Sequence, residues 1–109
     1  SIWTAAGTGD LDLLESLLAP DAEVPVDLLD DFGRSALMVA AAEGQMASAQ
    51  ALIDAGASLV LQDDESGYSP LHRAFLRCHL SLGALLVRSG APVDAPRDRE
   101  GLTPLELLH

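Results

Sequence analysis

Ser69 and His72 stand three residues apart in Ser69-Pro70-Leu71-His72, and Cys78 and His79 follow within seven residues, so the reactive side chains of the chain gather in one short run. A hydroxyl beside an imidazole is the beginning of an acyl-transfer site, and imidazoles beside a thiol are the beginning of a metal site. Acyl transfer also needs an acid to orient the imidazole and donors for an oxyanion, and the spacing supplies neither. A structural metal site would carry Cys-x-x-Cys or His-x-x-x-His pairs, and there are none. The acids around Asp63, Asp64 and Glu65 do not form the Asp-x-Asp-x-Asp-Gly loop with a distal glutamate that calcium requires. The glycines stand singly and build no phosphate loop. These residues therefore predict no catalytic group, no cofactor and no metal.

The elements that carry them explain the spacing better. In Asp64 to Ala91, Gly67 supplies a turn, and Ser69-Pro70 starts a helix because a hydroxyl caps the first orphan amides and proline suits the first helical position. Leu71, Ala74 and Phe75 form one apolar stripe; Leu80, Leu82, Leu85, Leu86 and Val87 form a second, which ends at Gly90. Two short helices and an extended loop are expected. The pattern repeats: Gly33, Gly67 and Gly101 recur at a constant step, as do Leu37, Leu71 and Leu105, with Ala40 and Ala74, Leu52 and Leu86, and Gly56 and Gly90 in the same register.

The order turn glycine, Ser/Thr-Pro-Leu-His, small residues, a break, a Leu-Leu pair and Gly-Ala resembles the ankyrin repeat. The resemblance implies an all-α solenoid of stacked helix-turn-helix units, with projecting β-hairpin loops and a concave binding face. It implies that His72, at the motif histidine, hydrogen-bonds Ser69 and a neighbouring backbone group and ties one hairpin to the next. It also places Arg34, Val39, Glu43, Tyr68, Arg73, Leu76 and Arg77 on the concave face as the partner-binding residues. Residues 1–29 read as a partial first repeat with a connector, 30–63 as the second repeat, 64–97 as the third and 98–109 as a partial fourth.

The copies are unequal. In the first, Trp3 stands at the histidine position, and Ala19 to Asp31 is a proline-broken, apolar connector with room for a short extra turn. The second has Gly33-Arg34-Ser35-Ala36-Leu37-Met38, losing proline and histidine and, with them, two expected braces. The fourth stops at His109 with an expected unpaired final helix, and the chain opens at Ser1 inside a helical pattern, so it reads as a module of a longer protein. Asp64 to Ala74, His79-Leu80 and Glu100 to Thr103 are similar to the N-terminal ankyrin segment of inhibitor-of-Bruton-tyrosine-kinase-like proteins. There ankyrin repeats precede a propeller and BTB domains, which implies an adaptor of a ubiquitin ligase.

Composition agrees with a binding role. The chain has 109 residues, 49% of them hydrophobic, enough for one elongated core but little for a large enclosed cleft. Its net charge of −11 opposes nucleic acid and anionic membrane and favours a basic protein or peptide partner. All six positive charges are arginines, so there is no lysine to acetylate, and without asparagine there is no N-glycosylation site. A single cysteine argues for a reducing compartment, cytoplasmic or nuclear. Acids cluster where the hairpin ends fall: Asp27, Asp30 and Asp31; Asp63 to Glu65; Asp94, Asp98 and Glu100. They read either as solvated tips or as a ladder that meets a basic peptide. The expected function is a non-enzymatic, monomeric protein-interaction module; the alternative is a structural spacer or intramolecular docking piece.

Two positions are expected to weaken the third repeat. Cys78 takes the place of Gly9 and Gly44, where the helix ends in a left-handed residue, and Gly83 takes the place of Leu14 and Ala49 inside a helix. Both Cys78→Gly and Gly83→Ala are expected to stabilise.

Overall fold

The computed structural model describes residues 1–108. Among them are six α-helices: α1 Ile2–Thr8, α2 Leu11–Leu18, α3 Ala36–Glu43, α4 Met46–Asp54, α5 Pro70–Leu76 and α6 Leu80–Arg88, with 3-10 turns at Pro20–Ala22 and Leu105–Leu107. Side chains start most of them. Ser1, Asp10, Ser35 and Ser69 each accept a hydrogen bond from the amide three residues on, satisfying one of the donors that a helix start leaves without a partner. The helices pair as α1 with α2, α3 with α4 and α5 with α6. The pairs stack so that α1, α3, α5 and the Leu105–Leu107 turn form an inner row and α2, α4 and α6 an outer one. The molecule measures 38 × 26 × 21 Å.

One core runs through the stack. Ala5, Ala6, Leu14, Leu37, Ala40, Ala41, Leu52, Leu71, Ala74, Phe75, Leu82 and Leu86 are buried in it, and Val24 and Val26 of the connector pack against its side. The connector does make a short extra turn, at Pro20–Ala22. Leu28 and Leu29 stay largely exposed, but the Leu28 carbonyl accepts the indole N–H of Trp3 at 2.9 Å.

Inner helices end in a shared way. Gly9, Gly44 and Cys78 have φ of 77°, 71° and 60°. All three inner helices thus stop on a left-handed residue, and Cys78 does carry the conformation that glycine fills in the other copies. At Gly9 and Gly44 the next repeat adds a second demand. A Cβ on Gly44 would lie 2.8 Å from the His79 ring, and one on Gly9 would lie 2.8 Å from Gln45 Oε1. Those same side chains reach back across the seam: Gln45 Nε2 donates to the Gly7 carbonyl at 3.1 Å, and His79 Nε2 bonds the Ala42 carbonyl at 3.0 Å.

Four expectations need correction. Among the described residues no strand forms. Each finger is a tight turn closed at its base by a backbone bond, Asp30 N to Arg34 O, Asp63 N to Tyr68 O and Asp98 N to Leu102 O, with Gly33 N to Asp30 O and Gly101 N to Asp98 O inside the first and third, rather than a hairpin ladder. The fourth repeat has no final α-helix among the described residues, only the Leu105–Leu107 turn, which packs against α5 with Leu107 buried; the end at His109 lies outside them. The second repeat keeps one of the two braces expected to be lost, because Met38 Sδ accepts the Ser35 N–H at 3.4 Å where His72 Nδ1 accepts the Ser69 N–H at 3.1 Å.

The fourth correction concerns Gly83. A Cβ there would lie 2.5 Å from Phe75 Cε1 and 3.0 Å from Cδ1, and Phe75 is buried. The missing side chain is the space the ring occupies. Across the three helix pairs the corresponding residues are Ala6 with Leu14, Ala41 with Ala49 and Phe75 with Gly83, so between the first and third pairs the large residue has moved from the outer helix to the inner one. Overpacking then outweighs helix propensity. Gly83→Ala is expected to destabilise by roughly 1–3 kcal/mol, and Cys78→Gly to stabilise by about 0.5–1 kcal/mol as the left-handed strain is removed. Urea melts of both variants check this; a stabilised Gly83→Ala would mean that the ring is not seated there.

Candidate protein-binding face

Each finger is closed by an aspartate turned inward. Asp30 Oδ1 accepts the Phe32 and Arg34 amides, both at 2.9 Å, and Asp98 Oδ1 accepts those of Glu100 and Leu102, also at 2.9 Å. In the middle finger the residue is Asp63, not Asp64. Its Oδ1 accepts the Ser66 amide at 2.7 Å and the Gly67 amide at 2.9 Å, and this turn is one residue wider than the other two. These acids are therefore neither solvated tips nor rungs of a binding ladder. They are internal caps.

Two of them also hold an arginine. Arg34 Nε donates to Asp30 Oδ2 at 3.0 Å, and Arg73 pairs with Asp63 Oδ2. Burial by itself would raise the Asp63 carboxyl, but the Ser66 amide, the Arg73 guanidinium and the Gly67 amide outweigh it and hold it below its ordinary value of 3.8. Asp30 is lowered in the same way, with burial opposed by the Arg34 and Phe32 amides and the Arg34 side chain.

Around Asp63 the side chains interlock. Arg73 lies over the Tyr68 ring at 5.8 Å, and Tyr68 stacks on His72 with centroids 5.7 Å apart. The first of these contacts sets a cation over an aromatic face, which attracts it. His72 is fully buried. Because its Nδ1 accepts the Ser69 amide, its Nε2 carries the proton and donates to the Leu102 carbonyl at 2.9 Å, in the next repeat. The Ser69–His72 pair is thus a helix cap joined to an inter-repeat tie, with both imidazole nitrogens engaged in structure. Among the described residues no group of three His, Cys, Asp or Glu side chains is placed to hold a metal.

The seven residues expected on the concave face consequently fall into three sets. Arg34, Val39 and Glu43 come together with Trp3, Thr4, Gly7 and Thr8 around an open cavity of about 330 Å³ between α1 and α3. Gly7 makes this possible, since a Cβ there would lie 2.8 Å from Val39 Cγ1. Tyr68 and Arg73 belong to the scaffold of the middle finger, although Arg73 also borders a cavity of about 230 Å³ with Phe32, Arg34 and Glu65. Leu76 and Arg77 are exposed at the end of α5 and border none of these hollows. Sequence reasoning passed over Trp3 and Phe32. The signal for Phe32 was there, an aromatic residue directly before Gly33 where the other copies have Ser66 and Glu100; in the structure it is 62% exposed and has Arg34 over its ring at 5.2 Å.

A profile of ankyrin repeats, three copies, matches residues 2–97. The chain belongs to the ankyrin-repeat family. Ankyrin repeats are protein-interaction modules, and the fold is a non-enzymatic one. The ankyrin chain is similar to inhibitor of Bruton tyrosine kinase from Xenopus laevis, 37% identical over 84 residues, which are 76% of this chain and 6% of that protein. The same protein from Mus musculus is 34% identical over 95 residues, 87% of this chain and 7% of the mouse protein. BTB/POZ domain-containing protein 1 of Schizosaccharomyces pombe is 34% identical over 82 residues, 72% of this chain and 6% of the yeast protein. This chain therefore spans well under a tenth of each relative's length. No described helix is long and apolar enough to cross a membrane.

Asp63 gives the ankyrin stack a measurable dependence on acid. Its folded carboxyl titrates below its unfolded value, so its stabilisation is fully present above about pH 4 and is lost as pH falls through the folded value. Asp63→Ala is expected to cost roughly 3 kcal/mol at neutral pH, because Arg73 and two amides lose their partner. Its denaturant midpoint should also change less between pH 5 and pH 3 than that of the parent. Equal acid sensitivity in the two proteins would remove Asp63 from this role.

Proposed function

We propose that this domain is a non-enzymatic adaptor module that binds a partner protein or peptide on its concave face and finger tips. The observation that carries the reading is the open cavity between α1 and α3. It joins apolar Trp3 and Val39 to the charged Arg34 and Glu43 at the one inner-row seam where the first of the two helices carries a glycine, Gly7. Tryptophan and arginine, here Trp3 and Arg34, are among the residue types enriched in binding hot spots. A net charge of −11 favours a basic partner and opposes nucleic acid and anionic membranes.

Of the seven residues first expected to touch the partner, Arg34, Val39 and Glu43 carry the contact in this proposal, and Leu76 and Arg77 extend it along α5. Tyr68 and Arg73 act on it indirectly, by holding the middle finger in place. Within a longer protein of the relatives' kind, the module would serve a ubiquitin-ligase adaptor inside the cell, in cytoplasm or nucleus, as a monomeric unit. Two of the relatives are named for inhibiting a tyrosine kinase, so a kinase domain is a sensible first prey.

Affinity capture with residues 1–109 as bait tests this. Glu43→Lys, at an exposed position, is expected to leave the melting temperature nearly unchanged and to reduce capture at least tenfold; undiminished capture would move the partner off the α1–α3 cavity. Association with a basic partner should also slow by about tenfold or more as salt rises from about 50 to 500 mM. A rate insensitive to salt would assign the outward acids to solubility alone.

A further inference from the structure

Phe32 is the most exposed large apolar side chain in the molecule among the described residues, and it is a wall shared by two hollows. On one side are Arg34, Arg73 and Glu65, with the Arg34 guanidinium over the ring at 5.2 Å. The other hollow, of about 330 Å³, is bordered by Phe32, Asp31, Asp64 and Glu65 and by no arginine. Neighbouring hollows share lining residues. Arg34 borders both the α1–α3 cavity and the middle hollow, while Phe32 and Glu65 border both the middle hollow and the finger cleft. The three hollows therefore adjoin one another between Val39 on the inner helices and the cleft of the first two fingers.

Charge in this region is divided unevenly. The nearby arginines, Arg34 and Arg73, are matched by the inward acids Asp30 and Asp63, and among the described residues Asp31, Asp64 and Glu65 take part in no ion pair. Asp64 is also built into the cleft: its Oδ2 lies 2.5 Å from where a Cβ of Gly33 would stand, so the carboxylate rests on the first finger's turn because that residue is glycine. A largely exposed aromatic ring that shares a hollow with three carboxylates in no ion pair fits one side chain best. A guanidinium can stack on the ring through its plane and donate its forked N–H groups to the acids; an ammonium can only approach as a point charge.

We propose that the domain recognises an extended peptide segment that seats an arginine on the open face of Phe32, between Asp31, Asp64 and Glu65, and an apolar side chain against Val39. This rests on the reading of the domain as a protein-binding module and names the chemistry of its partner.

The test is a phage-displayed library of random dodecapeptides selected on residues 1–109 at about 150 mM salt, where long-range attraction is largely screened. Enriched peptides should share an arginine and, a few residues away, an aliphatic side chain. Replacing that arginine by lysine should weaken binding several-fold, and replacing it by citrulline, which keeps the shape without the charge, should abolish it. On the protein, Phe32→Ala should weaken the selected peptides about 3- to 30-fold, and the triple variant Asp31→Asn, Asp64→Asn, Glu65→Gln at least tenfold, both with unchanged circular dichroism. Arg99→Ala, on the third finger, should bind as the parent does. Enrichment of peptides without arginine, failure to enrich any peptide, or unchanged binding by Phe32→Ala would overturn the proposal. Should Phe32→Ala bind normally while Glu43→Lys loses capture of the protein partner, the cleft assignment falls and the binding-module reading stands.

Discussion

Side chains that cross from one repeat to a backbone carbonyl of a neighbouring repeat hold this molecule in register. Gln45 reaches the Gly7 carbonyl, His79 the Ala42 carbonyl and His72 the Leu102 carbonyl. Gly7 and Ala42 lie in the last turns of α1 and α3, where helix geometry leaves carbonyls without an intrahelical partner. Each of these repeats therefore completes the hydrogen bonding of its neighbour's helix end. A two-helix unit cannot bury both sides of its apolar face alone, so stability in such a stack lies in the seams as much as in the units. The glycines that end α1 and α3 serve both needs, turning the chain left-handed and leaving room for the incoming Gln45 and His79.

The same economy governs the fingers. Inward Asp30, Asp63 and Asp98 tie down turn amides, and two of them fix an arginine, while among the described residues Asp31, Asp64 and Glu65 take part in no ion pair. The surface is strongly negative because the sequence sets 17 acids against six arginines. The way the fingers are closed also explains why a residue type can mislead when read alone. Tyr68 and Arg73 have the composition of a binding hot spot, yet they are a stack and an ion pair around buried His72 and Asp63, whereas Arg34, Val39 and Glu43 reach an open cavity.

What was legible in the sequence is what repetition imposes. The constant step between Gly33, Gly67 and Gly101 pointed to the stack, and the Gly9, Gly44 and Cys78 column to the left-handed helix ends, even where cysteine replaces glycine. The histidine tie was also legible, since Ser69 and His72 share a capping geometry whose remaining nitrogen must find an acceptor. What escaped depends on which atoms meet across elements. Gly83 looks like a helix defect until Phe75 is seen to fill its space. Met38 looks like a lost histidine until its sulfur is found at the same amide. Asp63 and Asp64 are indistinguishable as neighbours in a sequence, but one extra residue in the middle turn sends the first inward and leaves the second in the cleft. Phe32 escaped because the repeat resemblance places binding residues after the turn glycine, and Phe32 stands before it.

The central claim is that the inner row and the first two fingers form one binding face, backed by an outer row that only supports it. Amide hydrogen exchange of the domain, free and in complex with its captured partner, measures this residue by residue. The account predicts that slowing on binding is concentrated at residues 31–43 and 64–67, with α2, α4 and α6 little changed. Slowing centred on Leu11–Leu18, Met46–Asp54 and Leu80–Arg88, with the fingers exchanging as in the free protein, would contradict it.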